Sequence, residues 1–204
     1  FVAAQCVLLG HMEYHYFDGH RFLNSVAKPT FVVFILLSGY LISITTFRKM
    51  DIVPNYNFKQ FFIERTARIY TTFLPALVFG ALVDVFHSHY THSVLDYELQ
   101  KALDLRYWLV NLFQFQNHAV LDLIRRFDIY EIPFFTTLGT NRPLWSLSFE
   151  FWLYLFFGWW VLIKKKKWWF WVVMVFLSIT PVYKFIYPPG WIRGIVIMWI
   201  LGVL

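Results

Sequence analysis

The sequence predicts an all-α fold, a polytopic bundle with about six membrane-spanning helices in this chain. Three observations predict it: a lipid-like composition, long unbroken apolar runs, and aromatic residues gathered at the ends of those runs. Of 204 residues, 59% are hydrophobic, 23% are aromatic and only 15% are charged. A soluble domain carries roughly 25% charged residues, and a globule of this length has no interior large enough for so much apolar surface. The mean hydropathy of +0.53 places the excess against lipid or other membrane helices.

A helix crossing the hydrocarbon core needs about 20 mainly apolar residues, with a range of roughly 17–25. Six segments approach that length: Phe1–Phe17, Thr30–Phe47, Ile69–Phe86, Leu144–Ile163, Trp168–Tyr187 and Trp191 onward. The first is interrupted by His11, Glu13 and His15, whereas the fourth and fifth are the clearest. The runs are too long and continuous for barrel strands, which alternate apolar and polar residues over about ten positions. Trp159, Trp160, Trp168, Trp169, Trp171, Tyr187 and Trp191 sit at span ends, as an interfacial belt requires.

Between the third and fourth segments lies a polar-aromatic stretch, residues 87–143, expected to be an extracytoplasmic loop. Within it Leu105–Phe113 is apolar but short, which suits an interfacial or re-entrant helix. Both ends of the chain fall inside apolar runs, and no basic leader precedes a cleavage site, so a fragment of a longer protein is expected.

Basic residues in short connections stay cytoplasmic. Arg48, Lys49, Lys59, Arg65 and Arg68 follow the second segment, and Lys164 to Lys167 follow the fourth. Alternating spans put both groups on one side, which orients the N-terminus to the cytoplasm and the long loop outward. The density of charge favours this topology, although a raw count does not decide it. The net charge of +6 is therefore a matter of orientation, and no nucleic acid is implied. The single cysteine, Cys6, excludes an internal disulfide framework.

A charge at mid-bilayer costs at least about 2.5–3.5 kcal/mol, so polar groups inside spans need a reason. His11 can serve as a general base, worth roughly 10²–10⁴-fold in rate, or as a hydrogen-bonded structural histidine. His11 and His15 share a helical face but lack a third ligand, and the run His87 to His92 reads as a solvated loop. No metal is predicted. Glu150 lies within Leu144-Trp145-Ser146-Leu147-Ser148-Phe149-Glu150-Phe151-Trp152-Leu153-Tyr154, where Ser146, Glu150 and Tyr154 form one stripe at four-residue spacing. It is either a functional carboxylate or an interhelical hydrogen-bond anchor. Arg65 and Arg68, three apart, are expected to share a face where two guanidinium groups recognise phosphate or anchor against headgroups. Gly39 and Ser43, beside Ser38, permit close helix approach.

In order along the chain these elements resemble the acyltransferase-3 family of integral membrane acyltransferases. The resemblance rests on Val7-Leu8-Leu9-Gly10-His11, on Phe34-Ile35-Leu36-Leu37-Ser38-Gly39-Tyr40-Leu41-Ile42, on Arg65-Thr66-Ala67-Arg68-Ile69, and on Leu144-Trp145-Ser146-Leu147-Ser148-Phe149-Glu150. It covers nearly the whole chain and implies the N-terminal portion of one membrane-embedded acyltransferase domain, residues 1–204, in a family with about ten membrane helices. An acidic position of the family pattern is Val32 here and an acidic or polar position following Glu150 is Phe151, which leaves the histidine, the arginine pair and the first glutamate untouched.

The resemblance implies transfer of an acyl group, commonly acetyl, from cytoplasmic acyl-CoA to a hydroxyl of a cell-envelope or secreted glycan. It implies His11 and Glu150 as catalytic, Arg65 and Arg68 as donor-binding, and Ser38, Trp145, Ser146 and Tyr154 as substrate or structural support. The implied location is the cell (inner) membrane. A transporter or channel is the rival class, since intramembrane His and Glu also serve proton relays. Inverted repeats would mark that class, and the sequence shows none.

Overall fold

The structure, a computed structural model, describes residues 22–91, 104–116, 118–127, 136–139, 141, 143–164, 166–186 and 192–204. The described residues form seven helices and no strand. They are α1 (Phe22–Ile52), α2 (Phe58–Thr91), α3 (Leu105–Leu112), α4 (Ala119–Arg126), α5 (Leu144–Leu162), α6 (Trp168–Ile186) and α7 (Ile192–Val203).

Three helical stretches are long and apolar enough to cross a membrane: Pro29–Ile52, Phe58–Phe86 and Trp168–Ile186. They correspond to the second, third and fifth expected spans. The first expected span, with His11, lies outside the described residues. The sixth is helical over 12 residues, about 18 Å against a hydrocarbon core of roughly 30 Å. The fourth, α5, has 19 residues, but Ser146, Ser148, Glu150 and Tyr154 dilute its hydropathy. Its sides are largely buried by protein, which shields its polar residues.

Parts of the stretch expected as a loop are helical among the described residues. The α2 helix runs past Phe86 to Thr91, so the histidine run is helical at its start, with His89 exposed. Residues 105–112 are helical for two turns, and Asp104 caps them by accepting from the Arg106 amide at 2.8 Å. The side chain of Arg106 closes on the same carboxylate at 2.7 Å. This pairing holds the Asp104 carboxyl below the usual carboxylate range.

The chain divides into two compact units, Phe1–Tyr56 with Lys184–Leu204, and Asn57–Tyr183. In the first, α1 and α7 pack backbone against backbone. A Cβ at Gly39 would lie 2.2 Å from the Trp199 carbonyl oxygen, and one at Gly202 would lie 2.0 Å from that of Leu36. Only glycine admits such an approach, which makes this a small-residue membrane interface. Ser38 and Ser43 are buried beside it, and the Ser43 hydroxyl is turned back to the Tyr40 carbonyl at 3.0 Å.

In the second unit α2 and α5 run antiparallel and meet through large side chains. Phe58 stands edge-on to Trp159 at 5.0 Å, Phe61 faces Phe157, and Tyr70 faces Phe151. Each aromatic pair contributes about 0.5–1.5 kcal/mol beyond its area. At the same end Trp159 stacks on Phe170 of α6, and its indole donates to the Phe170 carbonyl at 3.2 Å. Lys166 lies 3.9 Å over the Trp160 ring, so this end of the unit carries both the lysine turn and the aromatic belt.

Candidate functional site

The α5 helix presents two polar stripes rather than one. Glu150 and Tyr154 form the first. Ser148 and Trp152 form the second, two residues out of phase and so about 200° around the axis. The first stripe faces α2, and the second faces the connection between α3 and α4.

On the first face the Tyr154 hydroxyl donates to Oε1 of Glu150, one helical turn away. Both side chains are buried, Glu150 being 7% exposed. The Tyr154 ring also lies 5.9 Å from the Arg65 guanidinium, which sits 5.6 Å from the Phe61 ring as well. Arg65 is only 6% exposed and two turns inside the start of α2. Withdrawing a cation from water costs several kcal/mol, and two ring faces offset part of that cost. Glu150 itself is twelve residues, or about 18 Å, from the lysine end of α5. A carboxylate, a phenol and a guanidinium thus meet deep in an apolar helix pair.

Arg68 departs from the expected arrangement. It is exposed while Arg65 is buried, so the two guanidinium groups do not act from one surface in this structure. The packing of α5 on α2 covers Arg65 with the Tyr154 ring, a consequence that spacing along one helix does not reveal. Ser146 likewise belongs to the helix start, its hydroxyl bonding the Pro143 carbonyl at 2.9 Å rather than reaching Glu150. Trp145 is half-buried and packs on Phe149 at 6.5 Å. Ser38 is buried in the first unit. His11 lies outside the described residues.

The second face was not legible in advance. The connection after α3 turns inward through Gln114, which adopts a φ of +61° while fully buried. Its carbonyl accepts from Ser148 Oγ at 2.6 Å and from Trp152 Nε1 at 2.7 Å. His118 then caps α4, its Nδ1 accepting from the Val120 amide at 3.2 Å, which assigns the proton of the neutral ring to Nε2. The His118 ring lies 4.4 Å from that of Trp152. Tyr70 of α2 closes the group by donating to the Leu112 carbonyl. Non-helical backbone at the level of Ser148 and Trp152 is thereby satisfied by side chains, as a low-dielectric setting demands.

A further buried carboxylate, Asp84, lies on α2 against Gly139, where φ is +59° and a Cβ would meet Asp84 Oδ2 at 1.7 Å. The segment around Gly139 is pinned from two sides. Asn111 takes the Leu138 amide at 3.1 Å and gives to the Thr136 carbonyl at 3.2 Å, while Asn141 gives to the Ala76 carbonyl at 3.0 Å. A lone acid in an apolar run was the only sequence signal for Asp84, and nothing marked its glycine partner 55 positions away.

Comparison with known proteins adds the family. The acyltransferase-3 family model, described as an acyltransferase domain, matches residues 1–204. No curated protein and no solved structure matches the chain.

Proposed function

Because the chain belongs to the acyltransferase-3 family and is an integral membrane acyltransferase, we propose that it moves an acyl group, commonly acetyl, from cytoplasmic acyl-CoA to a hydroxyl of a cell-envelope or secreted glycan. The observation that supports this reading best is the buried cluster of Arg65, Tyr154 and Glu150 inside an otherwise apolar helix pair. Burial of ionisable groups without function is costly, and intramembrane ionisable groups mark sites of chemistry or transport. Family membership favours chemistry.

The net reaction forms an ester C–O bond, breaks the thioester C–S bond, and carries the hydroxyl proton to the sulfur of CoA. In this reading His11 is the general base that removes the proton. Glu150 orients the base or binds the acceptor, and Arg65 with Arg68 recognises the anionic donor. The structure supports a division of labour in that pair. Exposed Arg68 suits first contact with phosphate, and buried Arg65 suits a fixed charge farther in. Trp145, Ser146 and Ser38 support the surrounding helices. The lysine end of the second unit is the cytoplasmic end, the N-terminus is cytoplasmic, and residues 87–143 face outward with α3 as a re-entrant or interfacial helix. The six expected segments all enter the cell (inner) membrane, α5 being shielded from lipid by its neighbours.

The test follows acetyl label from acetyl-CoA into envelope fractions in cells with and without the full-length protein. Label should appear only with the protein. With purified protein, His11→Ala should cut transfer about 10²- to 10⁴-fold at unchanged helical content. Undiminished transfer by that variant rejects the base assignment, and stabilisation by a transported solute rather than by acetyl-CoA rejects the enzyme.

A further inference from the structure

Tyr154 touches both halves of the buried cluster. Its hydroxyl donates to Glu150 Oε1, and its ring face lies 5.9 Å from the Arg65 guanidinium. Glu150 and Tyr154 are four apart on one helix, so the hydrogen bond closes within a single turn and needs no other element to form it. Arg65 comes from α2, so the ring contact exists only when the two helices are packed. A glutamate has three side-chain torsions, and a donor held one turn away on the same helix restricts which way its carboxylate points. The phenol does this with one buried hydrogen bond.

We propose that Tyr154 is a positioning residue with two separable functions: its hydroxyl fixes the Glu150 carboxylate for the chemical step, and its ring seats Arg65 for the donor. The inference rests on the acyltransferase reading above and deepens it. Tyr154 itself touches neither acyl group nor acceptor. It couples the donor side of the helix pair to the reacting side through one rigid ring, so that a phenylalanine would preserve one function and abolish the other.

Two variants separate the functions. Tyr154→Phe removes the hydroxyl and keeps the ring, whereas Tyr154→Leu removes both. The full-length protein is assayed with acetyl-CoA labelled in the acetyl group and with the native envelope fraction. Rates are divided by the number of saturable acetyl-CoA sites, so that misfolded copies do not count. Tyr154→Phe should lower kcat per site about 10- to 100-fold, the worth of one hydrogen bond to a charged group, with the KM for acetyl-CoA within about two-fold. Tyr154→Leu should show the same loss in kcat and raise that KM about five-fold or more.

A Tyr154→Phe variant with wild-type kcat per site overturns the proposal. So does one in which fewer sites bind acetyl-CoA while each turns over normally, because that is a folding defect alone. Glu150→Gln is measured in parallel. If it is fully active, the acyltransferase role of Glu150 and this inference fall together. If it is impaired while Tyr154→Phe is not, only the inference falls.

Discussion

Two helix pairs in this protein are built on opposite principles. In the first unit α1 and α7 approach until backbone meets backbone, and the contact is made by what is missing at Gly39 and Gly202. In the second, α2 and α5 are held apart by Phe58, Phe61, Phe157 and Trp159, and the space between them admits Arg65, Tyr154 and Glu150. A glycine seam is rigid and specific but has no room for polar chemistry. An aromatic seam is thicker and can enclose charges, provided each finds a partner. The candidate site is accordingly in the second pair.

The sharpest way to break that comparison is Glu150→Gln. It should reduce acyl transfer by about 10²-fold or more while leaving thermal unfolding of the detergent-solubilised protein near that of the wild type. If stability collapses and activity per folded molecule does not, Glu150 is an anchor and the second pair is structural like the first. Next comes Gly39→Ala, whose added carbon meets a carbonyl oxygen that cannot move aside. A loss of about 1–3 kcal/mol is expected, read from the denaturation midpoint.

Gly158→Ala probes the aromatic seam in the same way. Its Cβ would meet the Phe61 ring at 2.2 Å, a side chain able to tilt, so the loss should be smaller than at Gly39. An equal loss would erase the distinction between the seams. Gly194, with nothing within 4 Å of its Cβ position, is the control. Gly194→Ala should stabilise by about 0.5–1 kcal/mol through helix propensity.

The smallest effect belongs to the edge of the second unit. Asp104 has its carboxyl lowered from 3.8 by Arg106, so its contribution to α3 is present above that value and is lost as the pH falls through the still lower folded value. Amide protection in Leu105–Leu112, taken relative to the unfolded chain at each pH, should therefore fall in acid, and Asp104→Asn should remove that pH dependence of the protection.

Much of the membrane character was legible because it is additive along the chain. Runs such as Thr30–Phe47 and Trp168–Tyr187 announce themselves residue by residue, and the Leu-Ser-Gly-Tyr element predicted a close helix approach that Gly39 makes. The stripe of Glu150 and Tyr154 was equally readable, since both residues ride one helix at a fixed spacing. What was not readable depends on a partner. Arg65 and Arg68 look equivalent on α2, and packing against α5, with the Tyr154 ring over the guanidinium, distinguishes Arg65. Gln114, Gln116 and His118 look like loop residues, yet all three are buried against α5 and its neighbours.

By itself the sequence determined that this chain is helical and enters a membrane, because hydropathy and helical periodicity are local properties that sum over neighbours in the chain. Its family followed from four short motifs in order. Only the tertiary structure decided which polar groups meet, because a buried charge is tolerated or not according to side chains that arrive from distant segments. Arg65 from α2 and Tyr154 with Glu150 from α5 are 85 and more positions apart in sequence, and antiparallel packing alone brings them into one cluster.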